Sequence, residues 1–359
     1  MAVGFPANTS FADGNPLTGA QINDITGTLN LLQYSAFPIM AGKNAIINGG
    51  MDIWQRGTSI ALTTQAYGPD RWFCSSYNTS TLSQQLTNDT TNLPTIKYCA
   101  RYLRNSGANT VNFQYFIQNI ETINSVQFAG QQVTLSFWAR AGAGFTSAAS
   151  VLSTQIISGT GTDQNVYGSG FTGATQVAAP SKTLTTTWQR FTVTGTVGAT
   201  ATQLALIFGY TPVGTTAPAN DYYEITGIQL ELGSTATTFS RAGGSIGGEL
   251  ALCQRYLPAI TGRAFGYAYT TTSSYLNCKF PVPARVAATG ITLLTAAASM
   301  SLLNASLTTG APTGIGFNDS SIYSCNVVAT TVSGTPTIAA GQGVALETVN
   351  GILFTGCEL

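Results

Sequence analysis

Histidine is absent from this chain of 359 residues. That absence alone closes Ser-His-Asp triads, Cys-His dyads and His-ligated zinc sites. Charge is scarce as well: Asp, Glu, Lys and Arg make up 8% of the residues, against roughly 25% in an average soluble protein. The 14 basic residues cancel the 14 acidic ones and form no run. A groove for a nucleic-acid backbone needs clustered Lys and Arg to displace counterions, so the balance argues against a nucleic-acid partner and against polybasic attachment to a membrane. Long apolar runs are missing too. The most membrane-like stretch, residues 291–303, is broken by Thr292, Thr295, Ser299 and Ser301 and falls short of the roughly 20 apolar residues of a span. The first residues carry no secretory-signal pattern, which predicts synthesis and retention in a cytoplasm or release from it by lysis. Cys74, Cys99, Cys253, Cys278, Cys325 and Cys357 stand far apart with no C-x-x-C pair. Buried free thiols are expected.

Hydroxyl and small residues fill the space that charge leaves. The chain has 54 Thr and 39 Gly, interleaved with Val, Ile, Phe and Tyr, a composition suited to β-strands with a polar, uncharged surface. A surface with so little net charge resists self-association poorly, which points to a fixed oligomer. An enzyme built this way would need paired carboxylates. The eight Asp and six Glu are scattered singly, and no catalytic residue, metal site or cofactor is expected.

Three textures succeed one another. Thr18 is a plausible N-cap for a helix whose apolar residues Ile22, Ile25, Leu29 and Leu32 lie three, four and three residues apart, an a/d seam for docking or oligomerisation, or for folding back on its own domain. Residues 43–242 read as regularly spaced short strands, clearest at Val133–Ala139, Trp188–Val197, Gln203–Tyr210 and Tyr222–Leu232, the pattern of an all-β sandwich. From Ala141 to Lys182 the apolar period fades, predicting an elaborated loop region. A Gly-rich joint at 242–248 leads to a short helix over Glu249–Tyr256, ended by Pro258. Alternation then resumes in a smaller β domain, 243–359. Its Tyr267, Tyr269 and Tyr275 surround a turn of Thr and Ser, with Tyr267 and Tyr269 on one strand face. They are either a glycan platform or part of a core or subunit contact.

"KNAIINGGMDIWQRGTS" (from Lys43) with "YGPDRW" resembles the opening of a domain of bacteriophage tail fibres and related virion appendages. "VTLSFWARAG", "TTTWQRFTVTGTV" and "DYYEITGIQLELGSTATTFSRAG" resemble strands of the jelly roll found there, similar to family 4/9 carbohydrate-binding modules. "GGELALCQRYLPAI" and "FPVPAR" resemble the link and early strands of the C-terminal domain, and "GFPANTSFADGNPLTGAQINDITGTLNLL" resembles an N-terminal attachment segment.

The resemblance implies a mainly β protein: an attachment arm and short helix (1–42), a jelly-roll β-sandwich (43–242) and a second, smaller C-terminal β-sandwich (243–359). It also implies a homotrimer on a virion, docked to other virion proteins through 1–42 and recognising a host glycan, or else a purely structural decoration, collar or connecting fibre. Depolymerase fibres of this kind carry a parallel β-helix, and no repeat of that period is present. Asp221, Glu224 and Glu231 lie near a strand that helps hold calcium in some such modules, though calcium ligands are not dense here. In "WQRG" and "DRW", Trp54 and Trp72 are expected as core anchors, with Arg56 and Arg71 bonding strand-end carbonyls or pairing with Asp52 or Asp70. Trp138 and Trp188 are expected in the core.

Overall fold

Threonine-rich alternation becomes antiparallel sheet throughout this computed structural model, which describes residues 42–76, 79–168, 170–306, 309–331 and 337–359. The segment expected to serve attachment, up to residue 41 and with the Ile22, Ile25, Leu29 and Leu32 seam, lies outside the described residues.

The first unit contains β1 (Ser59–Leu62), β2 (Gln65–Tyr67), β3 (Phe73–Ser75), β4 (Ser80–Leu86), β5 (Tyr98–Arg104), β6 (Gln114–Ile120) and β7 (Gln132–Ala141). It continues with β8 (Val151–Gly159), β9 (Thr175–Ala178), β10 (Ser181–Thr183), β11 (Gln189–Thr196), β12 (Gln203–Tyr210) and β13 (Tyr222–Leu232). One sheet has the order β1-β4-β5-β13-β7-β11, and the other β10-β8-β12-β6-β3-β2 with β9 on β8. Late strands inserted between early ones, β13 between β5 and β7 and β12 between β8 and β6, make this a jelly roll. Its core joins Leu135, Phe137, Tyr223 and Ile225 of one sheet to Phe116, Ile156, Leu206 and Phe208 of the other. Trp72 stacks on Phe116 with centroids 4.4 Å apart, and Phe137 meets Phe208 edge-on at 5.0 Å. Trp54, Trp72 and Trp188 are buried as expected, whereas Trp138 is only half-buried.

The loop expected over 141–182 is corrected: it holds β8, β9 and β10. In β8 the inward positions are Leu152, Thr154, Ile156 and Ser158, and polar residues at half of them hide the period in hydropathy.

A bulge in β13 organises the start of the unit. Between Thr226 and Gln229 the strand gains one residue on β7, and Gly227 takes φ +60°, a left-handed conformation that favours glycine. The bulge frees the backbone of Ile228: its amide donates to the Gly49 carbonyl (3.0 Å) and its carbonyl accepts from Asn44 Nδ2 (3.0 Å). Asn48, itself at φ +58°, then donates to the carbonyls of Ile53 (2.8 Å) and Asp70 (3.1 Å), while its own carbonyl accepts from the Trp72 indole (3.2 Å). The "NAIING" motif is thus a clasp that seats Trp72 and fixes Ile53, the residue before Trp54.

Helix α1 (Ile246–Gln254) comes next, capped by Ser245, whose hydroxyl accepts from the Gly248 amide at 3.1 Å. The last unit comprises β14 (Ala259–Ala268), β15 (Ser273–Lys279), β16 (Gly290–Leu293), β17 (Ser301–Asn304), β18 (Thr309–Gly310), β19 (Gly314–Ser320), β20 (Ser324–Thr330) and β21 (Gly343–Thr355). They form one sheet, β18-β17-β21-β14-β15-β20-β19, with β16 also on β21. The sheet curls until β16 meets β19, so both walls of this smaller sandwich belong to one continuous sheet around Leu276, Val327, Leu346 and Phe354.

The Gly-rich joint is not the free hinge that its composition suggests. Glu249 is buried and accepts from the amides of Asn48 and Gly243 (2.7 Å for the latter). Glu121 receives both the Arg255 guanidinium (2.7 Å) and the Tyr256 hydroxyl (2.8 Å), and Arg71 lies 3.6 Å over the Tyr256 ring. Arg56 pairs with Glu358 at 2.6 Å, and Arg285 donates to the Cys357 carbonyl at 2.8 Å. Arg71 bonds the Asn119 carbonyl (2.6 Å) as expected. The expected partners of Arg56 are taken, Asp52 by Arg241 and Asp70 by Gln55. Ile47, Ile53, Cys253, Tyr256 and Leu359 form an apolar seam between the two units.

Two measurements probe this frame. A Cβ on Gly49 would collide with the Ile228 carbonyl oxygen, so Gly49→Ala is expected to destabilise the fold by about 1–3 kcal/mol, read as a lower urea midpoint. Burial pushes the Glu358 carboxyl up to about 7, opposed by Arg56 and Arg71 and aided by the Asp70 charge. Burial also pushes Asp70 up to about 6. A carboxyl raised in the folded state favours folding while protonated, and that contribution is lost as pH rises through the folded value. The melting temperature is expected to fall between about pH 4, where the unfolded carboxyls ionise, and about pH 7, and Glu358→Gln to flatten the slope.

Candidate functional site

Strand β14 turns Ala264 and Ala268 into the core and sends Phe265 and Tyr267 outward. Phe265, Tyr267 and Tyr269 are 64%, 52% and 60% exposed. A turn closed by the Tyr269 amide donating to the Ser273 carbonyl (2.8 Å) returns the chain along β15. Register then places Tyr275 opposite Tyr267 and Asn277 opposite Phe265. The Tyr275 ring lies 6.1 Å from Tyr267 and 5.4 Å, edge-on, from Tyr269. The structure therefore brings together all three tyrosines singled out in the sequence, on an outer face and not in the core.

Three further residues complete this face. Asn277 Nδ2 donates to Asn326 Oδ1 (2.9 Å), and Asn326 Nδ2 donates to Asp319 Oδ1 (2.7 Å). With the aromatic rings they line a cleft of about 450 Å³ across β14, β15, β20 and β19. Phe265 was within reach of sequence reasoning, because it continues the two-residue period of Tyr267 and Tyr269. Asn277 likewise follows Tyr275 by two residues on β15, whereas Asn326 and Asp319 come from strands distant in sequence, and no local signal marks them. The arrangement offers apolar ring faces beside neutral amides and one carboxylate, a combination able to stack on a sugar ring and bond its hydroxyls.

A second cleft, about 780 Å³, opens on the outer face of the β8-β12-β6-β3 sheet. Phe113, Tyr115 and Tyr167 line it, with Tyr115 edge-on to Tyr167 at 5.3 Å. Tyr167 is held by Ser75 (2.8 Å) and sits in the segment 141–182.

The carboxylates near β13 are occupied. Asp221 accepts from the amide and hydroxyl of Thr146 (2.9 and 2.6 Å) and faces the fully buried Arg104 at 3.4 Å. The same guanidinium donates to the carbonyls of Ala108 (2.9 Å) and Thr110 (3.2 Å). Glu224 is shared by Arg101 (2.6 Å) and Arg140 (2.5 Å), and Glu231 accepts from Thr237 (2.7 Å). Among the described residues no group of Cys, Asp and Glu is placed to hold a metal ion. No helix among them is long and apolar enough to cross a membrane. All six cysteines are free and buried. Burial pushes the thiols of Cys278 and Cys325 up to about 12, which disfavours the reactive thiolate.

No protein-family model matches the chain, and no curated protein sequence does. Among solved structures it is similar to a family 4 carbohydrate-binding module, with 18% identity, a TM-score of 0.31 and coverage of 52% of this chain and 98% of the other. It is similar to the enzymatically active domain of tailspike protein 4 from bacteriophage CBA120, with 16% identity, a TM-score of 0.33 and coverage of 53% and 21%. The xylan-binding CBM22-2 domain of Paenibacillus barcinonensis Xyn10C gives 11% identity, a TM-score of 0.30 and coverage of 52% and 97%. These likenesses concern the fold of about half the chain, and the jelly-roll assignment stands on the strand order itself.

Arg104→Ala is expected to cost about 3–5 kcal/mol, because it leaves the Asp221 charge and several carbonyls buried without their cation. Urea unfolding checks it.

Proposed function

We propose that this protein is a receptor-binding subunit of a bacteriophage virion appendage, recognising a host surface glycan with the outer face of its C-terminal sheet. In this reading it is made in the host cytoplasm, assembles as a homotrimer and docks onto other virion proteins through residues 1–42. It acts by binding alone, without catalysis, cofactor or metal. The observation that carries it is the exposed strip of Phe265, Tyr267 and Tyr269, backed by the half-buried Tyr275, beside Asn277 and Asn326. A monomeric surface has little reason to leave three aromatic side chains together in solvent. The motifs from Lys43 to Trp72 and from Gly247 to Arg285, with their resemblance to tail-fibre proteins, supply the virion context. The tie between the two units would hold the strip at a fixed angle to the jelly roll.

A purely structural appendage protein is the second reading, favoured by the apolar Phe265 at 64% exposure, which suits a subunit contact as well. Adsorption separates the two. Labelled full-length protein is incubated with a panel of bacterial cells, and Tyr269→Ala and Tyr275→Ala are expected to weaken adsorption about tenfold, the effect of losing roughly 1.4 kcal/mol. Melting temperature and sedimentation as a trimer should stay as in the wild type. Variants that dissociate while a trimeric wild type adsorbs to no cell would support the structural reading.

A further inference from the structure

The hydrogen-bond chain beside the aromatic strip has a fixed direction. A carboxylate only accepts, so Asp319 forces Asn326 to present its amide nitrogen (2.7 Å). That leaves Asn326 Oδ1 facing Asn277, which must in turn donate through its own nitrogen (2.9 Å). The relay runs from β15 to β19 and ends on Asp319, to which Asn318 also donates at 3.4 Å. It leaves the carbonyl oxygen of Asn277 without a partner among the described residues, next to Phe265, its register neighbour. Among the described residues, Asp319 is the only charged one lining the cleft. The nearest outward positions on the same strands carry Arg263, committed to Glu347 at 3.3 Å, and Lys279, beyond the lining residues.

We infer that this cleft selects saccharides without negative charge, neutral or amino-bearing, and rejects uronic or other acidic sugars. The inference rests on the glycan reading of this face. A neutral sugar lays its apolar face on Tyr267, Tyr269 or Phe265 and offers hydroxyl donors to Asn277 Oδ1 and Asp319. An ammonium on a hexosamine gains a charge-assisted bond to Asp319. An acidic sugar brings a second anion beside that carboxylate, with no cation among the lining residues to offset the repulsion.

Full-length protein is titrated calorimetrically with three tetrasaccharides matched in length: neutral glucan, chitosan and oligogalacturonate. The wild type is expected to bind glucan or chitosan at least about tenfold more tightly than oligogalacturonate. Asp319→Asn, which keeps the side-chain shape, is expected to narrow that ratio, while Tyr269→Ala weakens every ligand. Oligogalacturonate bound as tightly as the others, in a manner lost with Tyr269→Ala, would overturn the charge selectivity and leave the glycan site standing. So would a ratio unchanged in Asp319→Asn. Absence of binding by the wild type, or binding that Tyr269→Ala leaves intact, would remove the glycan reading of this face and the inference with it.

Discussion

The bulge at Gly227 is the constraint on which the rest of the molecule depends. Without the extra residue, Ile228 would pair with β7, and its amide and carbonyl would have nothing to offer residues 44–49. With it, Asn44 and Gly49 are clamped to the sheet, and Asn48 is fixed at positive φ. Asn48 then holds Trp72 and presents its amide to Glu249. Through Glu249 the clasp reaches α1, and through Tyr256 and Glu121 the orientation of the C-terminal sheet. One backbone irregularity is thereby propagated into the placement of a face formed more than thirty residues later in the chain.

Scarcity of charge gives the few ion pairs a particular role. Asp52, Glu121, Asp221, Glu224, Glu231 and Glu358 all have nearly inaccessible side chains and each faces an arginine or lysine. Burying such pairs adds little net stability, because desolvation offsets the attraction, yet a wrong pairing would leave a charge alone in the interior. Their value is in fixing geometry. Three of these pairs, Arg241–Asp52, Arg255–Glu121 and Arg56–Glu358, sit at or beside the contact between the jelly roll and the C-terminal unit with its leading helix. The exposed surface carries mostly hydroxyls, amides and the aromatic strip, with scattered charges such as Arg263, Lys279 and Asp319.

Strands with apolar residues on both faces were legible in the sequence: β12 and β13 occupy Gln203–Tyr210 and Tyr222–Leu232, the limits that composition gives. Strand β8 was not, since Thr154 and Ser158 hold inward positions. The Gly pair 247–248 masked the first turn of α1, which its Ser245 cap starts at Ile246. Docking of the C-terminal tail was invisible because Arg56 and Glu358 lie 302 residues apart. At the site, period two marks Tyr267 and Tyr269, and the turn brings back Tyr275. Asn326 and Asp319 required the register of β20 on β19, including its shift between Phe317 and Asp319. Local pattern specifies which side chains leave a strand together, whereas neighbours across strands depend on a register that only the folded sheet sets.

Recognition of a host glycan by the outer face of the C-terminal sheet is the central functional claim, and hydroxyl-radical footprinting tests it most directly. Phe265, Tyr267 and Tyr269 are exposed enough to be oxidised readily in the free protein. Full-length protein would be labelled with and without surface polysaccharide from cells to which it adsorbs, and oxidation read residue by residue by mass spectrometry. The account predicts loss of labelling at these three residues, with Phe113, Tyr115 and Tyr167 in the jelly-roll cleft unchanged. Undiminished labelling of Phe265, Tyr267 and Tyr269 at saturating polysaccharide would contradict it.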